Sequence, residues 1–272
     1  MEMTTSLFAF NFRLGPWESC LNLNFHQVEL APGFGAVCTR DHLAIFWAGE
    51  PQRNEEARSS AHQLARMLVH SHAYYSFNRG GVLEVEPVTW LEIRSCDARE
   101  TVSGYMHPTL ATAPLPPEHP ESIVLRDAAA LTRSLINSVP LQLAVADFHV
   151  ARRELGPYSA FYAFRVLEDV GFQFGATKQD KPDSGAMNQA LKTNEEKWRP
   201  LTEAGTAARH LSEQKLQRPM GTSRDQLLAL AHEALTLVFA HLGLSTGSFN
   251  EPANLGIQGT HSSSAALAAV RP

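Results

Sequence analysis

Lysine is scarce in this chain, with five residues against eighteen arginines, and the 23 basic side chains are outnumbered by 28 acidic ones. A formal net charge of −5 excludes a surface that holds nucleic acid by bulk electrostatics, while leaving room for a local basic cleft. Cysteine is rarer still. Cys20, Cys38 and Cys96 are odd in number, widely spaced and confined to the first hundred residues, which excludes both a disulfide framework and a CxxC metal knuckle. They read as reduced, strand-borne filler. No apolar run approaches the length of a bilayer span, and the first residues, MEMTTSLFAFNFR, lack a basic region ahead of an apolar stretch, so a cytoplasmic protein without a membrane partner is expected.

Complete catalytic motifs are missing too. His232-Glu233 opens like a metalloprotease helix, but Thr236 stands where the second histidine belongs. Gly33-Phe34-Gly35 has no third glycine and no helix behind it, Gly80-Gly81 precedes a strand, and there is no serine elbow. No metal and no cofactor are therefore expected.

What is present is enough apolar residue to build proper cores, 44% of 272 positions, in a chain long enough for two domains. The fold class expected is α+β: a small mixed strand and helix domain over 1–103, a proline-rich linker over 104–122, an all-α helical bundle over 123–244, and a tail over 245–272. Phe8, Phe10 and Phe12 alternate along a period-two strand. In CLNLNFHQVEL the apolar parity shifts between Phe25 and Val28, which predicts a bulge. AVCTR and HLAIFWA read as two strands joined around Arg40-Asp41, and Val82–Cys96 as a fifth. Between them Ala57, Ala61, Leu64, Ala65 and Leu68 keep helical spacing over about 53–76. Five prolines then fall between Gly104 and Ser122 without periodicity, the composition of an extended linker. Beyond it the pattern predicts helices at about 123–137, Pro140–Leu155, Pro157–Phe174, Ala186–Leu211 and Ser223–Leu242, with a small, polar, disordered tail.

The helix PYSAFYAFRVLEDVGFQF is apolar nearly all round, so it is expected to lie buried among the others, with Phe161 in the core. Arg165 falls in the middle of its aromatic face, with Glu168 three and Asp169 four residues on. Unpaired charges there would cost several kcal/mol, so Arg165 and Asp169 are expected either to pair at the edge of the core or to form a binding site in an apolar cleft. His62, Arg66 and His70 share one face of the earlier helix, with His72 a little further round, and read as a polar stripe facing solvent.

A helix ending in DFHVARREL, the aromatic helix, a helix with Trp198 and Leu201, and the junction AGTAARHLSEQ follow one another in that order. This layout resembles the HEPN superfamily of prokaryotic helical domains found in toxin, abortive-infection and phage-defence proteins. In its active members a polar helix residue, an arginine and a histidine cleave RNA without metal. The resemblance implies Glu168 or Asp169 as the polar residue, with Arg209 and His210 as the arginine and histidine. Here those two are adjacent and point about 100° apart on a helix, whereas the family separates them by a few residues. Arg66 and His72 have the family's spacing, which eighteen arginines and twelve histidines meet by chance. The expected function is a non-catalytic interaction protein with a HEPN-like bundle, part of a defence or toxin-type system, with a homodimer or a protein partner. The alternative is a metal-independent HEPN-type ribonuclease using Glu168, Arg209 and His210, with RNA as its partner.

Overall fold

In a computed structural model of the chain, the structure describes residues 6–20, 23–78, 81–93, 120–209 and 222–244. A first part that holds all five strands with one long helix among them precedes a part that is helical throughout, an α+β arrangement. Contacts divide the chain into two units, one made of residues 1–66, 84–126 and 249–272, the other of Met67–Leu83 and Asp127–Ser248.

The first unit is built on a five-stranded antiparallel sheet in the order β2-β3-β4-β1-β5. Its strands are β1 (Ser6–Gly15), β2 (Asn24–Ala31), β3 (Phe34–Thr39), β4 (His42–Gly49) and β5 (Glu84–Ile93). The period-two reading of β1 holds: Phe8, Phe10, Phe12 and Leu14 are all buried, with Phe10 and Phe12 opposite Ile45 and Leu43 of β4, and Leu43 in turn opposite buried Cys38 of β3. Phe12 stacks on His62, 6.1 Å between ring centres, which brings α2 (Asn54–Tyr75) over this face. Arg40 takes a positive φ of 53° in the two-residue turn that closes β3 onto β4, with Thr39 paired to His42. The register between β2 and β3 slips between Phe25 and Val28, where the parity shift predicted a bulge. Cys20 departs from expectation: it sits in a short helix, α1 (Trp17–Cys20), not in a strand, and is buried like Cys38. Cys96 and most of the proline-rich linker lie outside the described residues.

The second unit contains the C-terminal part of α2 and the helices α3 (Pro120–Leu135, from Asp127 on), α4 (Val139–Arg153), α5 (Gly156–Phe172), α6 (Ser184–Leu191), α7 (Glu195–Arg209) and α8 (Arg224–His241). Pro120 and Ser122, assigned to the linker from composition, belong to α3. The predicted helix Ala186–Leu211 is two helices, α6 and α7. Lys192 adopts the left-handed conformation at φ 55°, and Asn194 accepts the Lys197 N–H at 3.1 Å to begin α7. Trp198 fastens the break by donating its indole N–H to Asn188 at 3.0 Å.

Helix α5 is central and packs on α4, α6, α7 and α8. It does so with its smaller side chains, Ala160, Ala163, Val166, Leu167 and Val170. The aromatic side faces outward: Phe161 and Tyr162 are half-buried and Tyr158 is 60% exposed. The reading of Phe161 as core is thereby corrected. Ala160, Ala163, Leu167 and Val170 fall on one stripe of a 100° helix, and small residues there allow closer approach of α4 and α7 than rings would.

Candidate functional site

Three helices bring five charges together. Asp147 comes from α4, Arg165, Glu168 and Asp169 from α5, and Arg209 from the last turn of α7. Arg165 donates from Nε to Asp147 Oδ2 at 3.2 Å, and its Nη1 and Nη2 lie 4.0 and 3.7 Å from Glu168 Oε2 and Asp169 Oδ1. Glu168 Oε2 also accepts from Arg209, whose guanidinium lies 4.8 Å from the ring centre of Phe164 and 5.9 Å from that of Phe161. The spacing of three and four along α5 fixes its three charges on one face, and antiparallel packing delivers Asp147 opposite Arg165.

The electrostatics follow from depth. Asp169 is 2% exposed. Burial, then the neighbouring Asp147, push its carboxyl up to about 7 against the pull of Arg165. Burial also raises Asp147, which the hydrogen bond from Arg165 partly reverses. Burial by itself would lower the Arg165 guanidinium, but the Asp147 hydrogen bond and the surrounding carboxylates hold it above its ordinary value.

A second polar cluster lies in the same unit. His72, at 6% exposure, has an Nδ1 without a partner. Burial, with Arg152 and His149 adding to it, drives its pKa down to about 3. His149 Nε2 lies 2.7 Å from the Leu83 carbonyl, and His232 is stacked between Tyr74 and Phe77. Arg152 donates to the Ala73 carbonyl and to Ser76 Oγ at 2.9 Å. Arg224 donates to the carbonyls of Arg152 and Glu154 at 2.6 and 3.1 Å, closing the C-terminus of α4. The stripe expected to face solvent is therefore largely an inner surface: His62 lies on Phe12, His70 lies 4.9 Å from His149, and only Arg66 is exposed.

Of the residues singled out from sequence, Arg165, Glu168, Asp169 and Arg209 meet in one cluster, and His210 lies outside the described residues. Asp147 was missed. Its signal is a lone carboxylate within the apolar run LQLAVADFHV, where a charge demands a partner. Among the described residues no three His, Cys, Asp or Glu side chains gather as a metal site, and no helix is long and apolar enough to cross a membrane. In comparison with known proteins, the chain matches no family model, no curated protein and no solved structure.

Proposed function

We propose that the chain is a non-catalytic interaction protein that self-associates through the outward face of α4 and α5. The observation that carries this is the combination of exposed apolar side chains with charges already neutralised from within. Leu143 on α4 and Tyr158 on α5 are 46% and 60% exposed, and Val139 and Leu155 at the helix ends are more so. Phe161 and Tyr162 add half-buried rings. Aromatic and aliphatic groups with few unpaired charges are what the centre of a protein interface is made of. A patch bearing paired charges of both signs does not repel its own copy across a two-fold axis. On the sequence resemblance, such a bundle would serve as the dimerising element of a defence or toxin-type system.

The ribonuclease reading has one point in its favour, the meeting of Glu168 with Arg209. Against it, Arg165 and Arg209 are both already paired with carboxyl groups inside the cluster, which leaves neither guanidinium free to take a phosphate chain.

Sedimentation equilibrium of the full chain decides between them. A dimer is expected, reduced to monomer by Leu143→Glu with Tyr158→Glu while the helical circular dichroism is unchanged. A wild-type chain that stays monomeric at about 100 µM, where association stronger than about −5.5 kcal/mol would register, overturns the proposal. Metal-free RNA cleavage that vanishes in Arg209→Ala would establish the ribonuclease instead.

A further inference from the structure

The charge cluster does not balance as drawn. It contains three carboxyl groups and two guanidinium groups, and the most deeply buried of the five, Asp169, has the poorest provision of donors. Among the described residues no N–H donates to its side chain. Arg165 Nη2 stands 3.7 Å away, beyond hydrogen-bond length, and Asp169 Oδ2 is buried with no donor at all. An ionised carboxylate in that position lacks the two or three donors that normally sustain it. Its close neighbour is another carboxyl group, Asp147, set against the same guanidinium: Asp147 Oδ2 receives Arg165 Nε at 3.2 Å, and Asp169 Oδ1 stands 3.7 Å from Nη2. Two carboxyl groups crowded against one guanidinium, one of them buried with an unpartnered oxygen, are relieved by keeping one proton between them.

We infer that Asp169 holds a proton and donates it to the Asp147 carboxylate beneath Arg165, so that one proton latches α4 to α5 and sets the charge of the face they form. Held, the proton leaves two negative and two positive groups, a neutral cluster. Released, it leaves one negative charge in excess, with the buried Asp169 carboxylate beside the half-buried one of Asp147. The groups acting on Asp169 are Asp147 from α4 and Arg165 and Glu168 from α5, with Arg209 of α7 acting through Glu168. α6 and α8 contribute apolar side chains such as Met187, Leu235 and Val238 to the core around α5. Resting on the self-association reading above, two copies meeting through this face each bring an uncompensated charge once the proton is lost, so the dimer weakens as pH rises through about 7.

The sign for stability follows from the raised folded-state value. Unfolded, Asp169 releases its proton near pH 4; folded, near 7. The stabilising contribution of the latch is complete below the lower value and is lost as pH rises through the upper one. Asp169→Asn, which keeps an N–H donor to Asp147 and cannot titrate, isolates the effect. The melting temperature of Asp169→Asn minus that of wild type is expected to grow from pH 4 to about 7 and then level, cancelling the titration of every other group. Infrared spectra of the wild type should show a carboxylic-acid carbonyl band at pH 6 that fades at pH 8 and is absent from Asp169→Asn. A variant that is less stable than wild type by an amount independent of pH, together with no acid band, overturns the latch, because Asp169 is then an ionised partner of Arg165. Should the variant fail to fold, the wild-type infrared titration decides alone. A chain that is monomeric at every pH defeats the self-association reading and leaves the latch to be judged by the melts and the spectra.

Discussion

His72 shows how much a single buried side chain can tie to pH. Its ring is almost wholly enclosed, its Nδ1 has no partner, and it sits beside Arg152 and His149, so that charging it inside the fold is costly. Because its folded pKa of about 3 lies below the ordinary 6.5, the contribution it makes is present above 6.5 and is lost as pH falls toward 3. The latch at Asp169 slopes the other way over nearly the same range, so between about pH 4 and 6.5 the two contributions offset each other. His72→Leu removes the slope at the price of no hydrogen bond at Nδ1. It should be about as stable as wild type at pH 7.5 and roughly 2 kcal/mol more stable at pH 5, where the wild type must strip about one and a half pH units' worth of proton affinity. Urea titrations at the two pH values measure it. A stability difference that stays constant between them means that the ring is hydrated or shares a proton with a neighbour.

At the level of elements, α5 and α7 cross so closely that one glycine decides the contact. A Cβ built on Gly205 would overlap Cβ and Cγ of Phe164, the fixed base of that side chain and not its swinging end. Glycine to alanine within a helix ordinarily gains about 0.5–1 kcal/mol, whereas overpacking costs about 1–3 kcal/mol, so Gly205→Ala should lose stability by about 1 kcal/mol or more. Gly185→Ala, whose Cβ would meet only Asp183 Oδ1 at 3.4 Å, is the control and should melt at or slightly above wild type. A Gly205→Ala protein that melts above wild type would mean that α7 can retreat from α5. Phe164 also lies under Arg209, so the same crossing presents that arginine to Glu168. Such a contact is not legible in sequence. The strands were, because Phe8, Phe10 and Phe12 alternate and a sheet reads parity directly. The outward side of α5 was not: hydrophobicity marked Phe161 and Tyr158 as more apolar than Ala160 and Ala163, yet the packed face was chosen by size. For the cluster, spacing along α5 gave Arg165 with Glu168 and Asp169, whereas Asp147 and the third carboxyl's surplus charge depend on another helix, which no local period encodes. The break at Lys192 was masked by residues on either side that both keep helical spacing, although Asn194 before Glu195-Glu196 is a cap signal.

At the scale of the whole molecule, the order of the chain and the grouping of its contacts do not coincide. The strands all fall in the first part of the chain, but Met67–Leu83 from that part belongs with the helical unit. The reason lies in three aromatic and polar attachments. Tyr74 is in the helical core, stacked 4.7 Å from His232 and edge-on to Phe239 at 5.0 Å, with its hydroxyl 3.1 Å from Thr236 Oγ1. Phe77 stacks on His232 at 4.5 Å, and the Leu83 carbonyl meets His149. Removing this segment takes from the half-buried Arg152 the acceptors that Ala73 and Ser76 supply, and opens a void where two rings stood. A fragment of residues 123–244 is therefore expected to retain helix by circular dichroism but to melt without a sharp transition, with an extended fragment that begins at residue 67 and replaces 84–122 by a flexible connector melting cooperatively. Losing the Tyr74 ring alone costs about 3 kcal/mol or more by analogy with other buried aromatics, so Tyr74→Ala in the full chain should reproduce part of the defect. If residues 123–244 melt as sharply and as high as the extended fragment, the segment from Met67 to Leu83 is an ornament of the bundle, and the helical unit is complete in the second half of the chain.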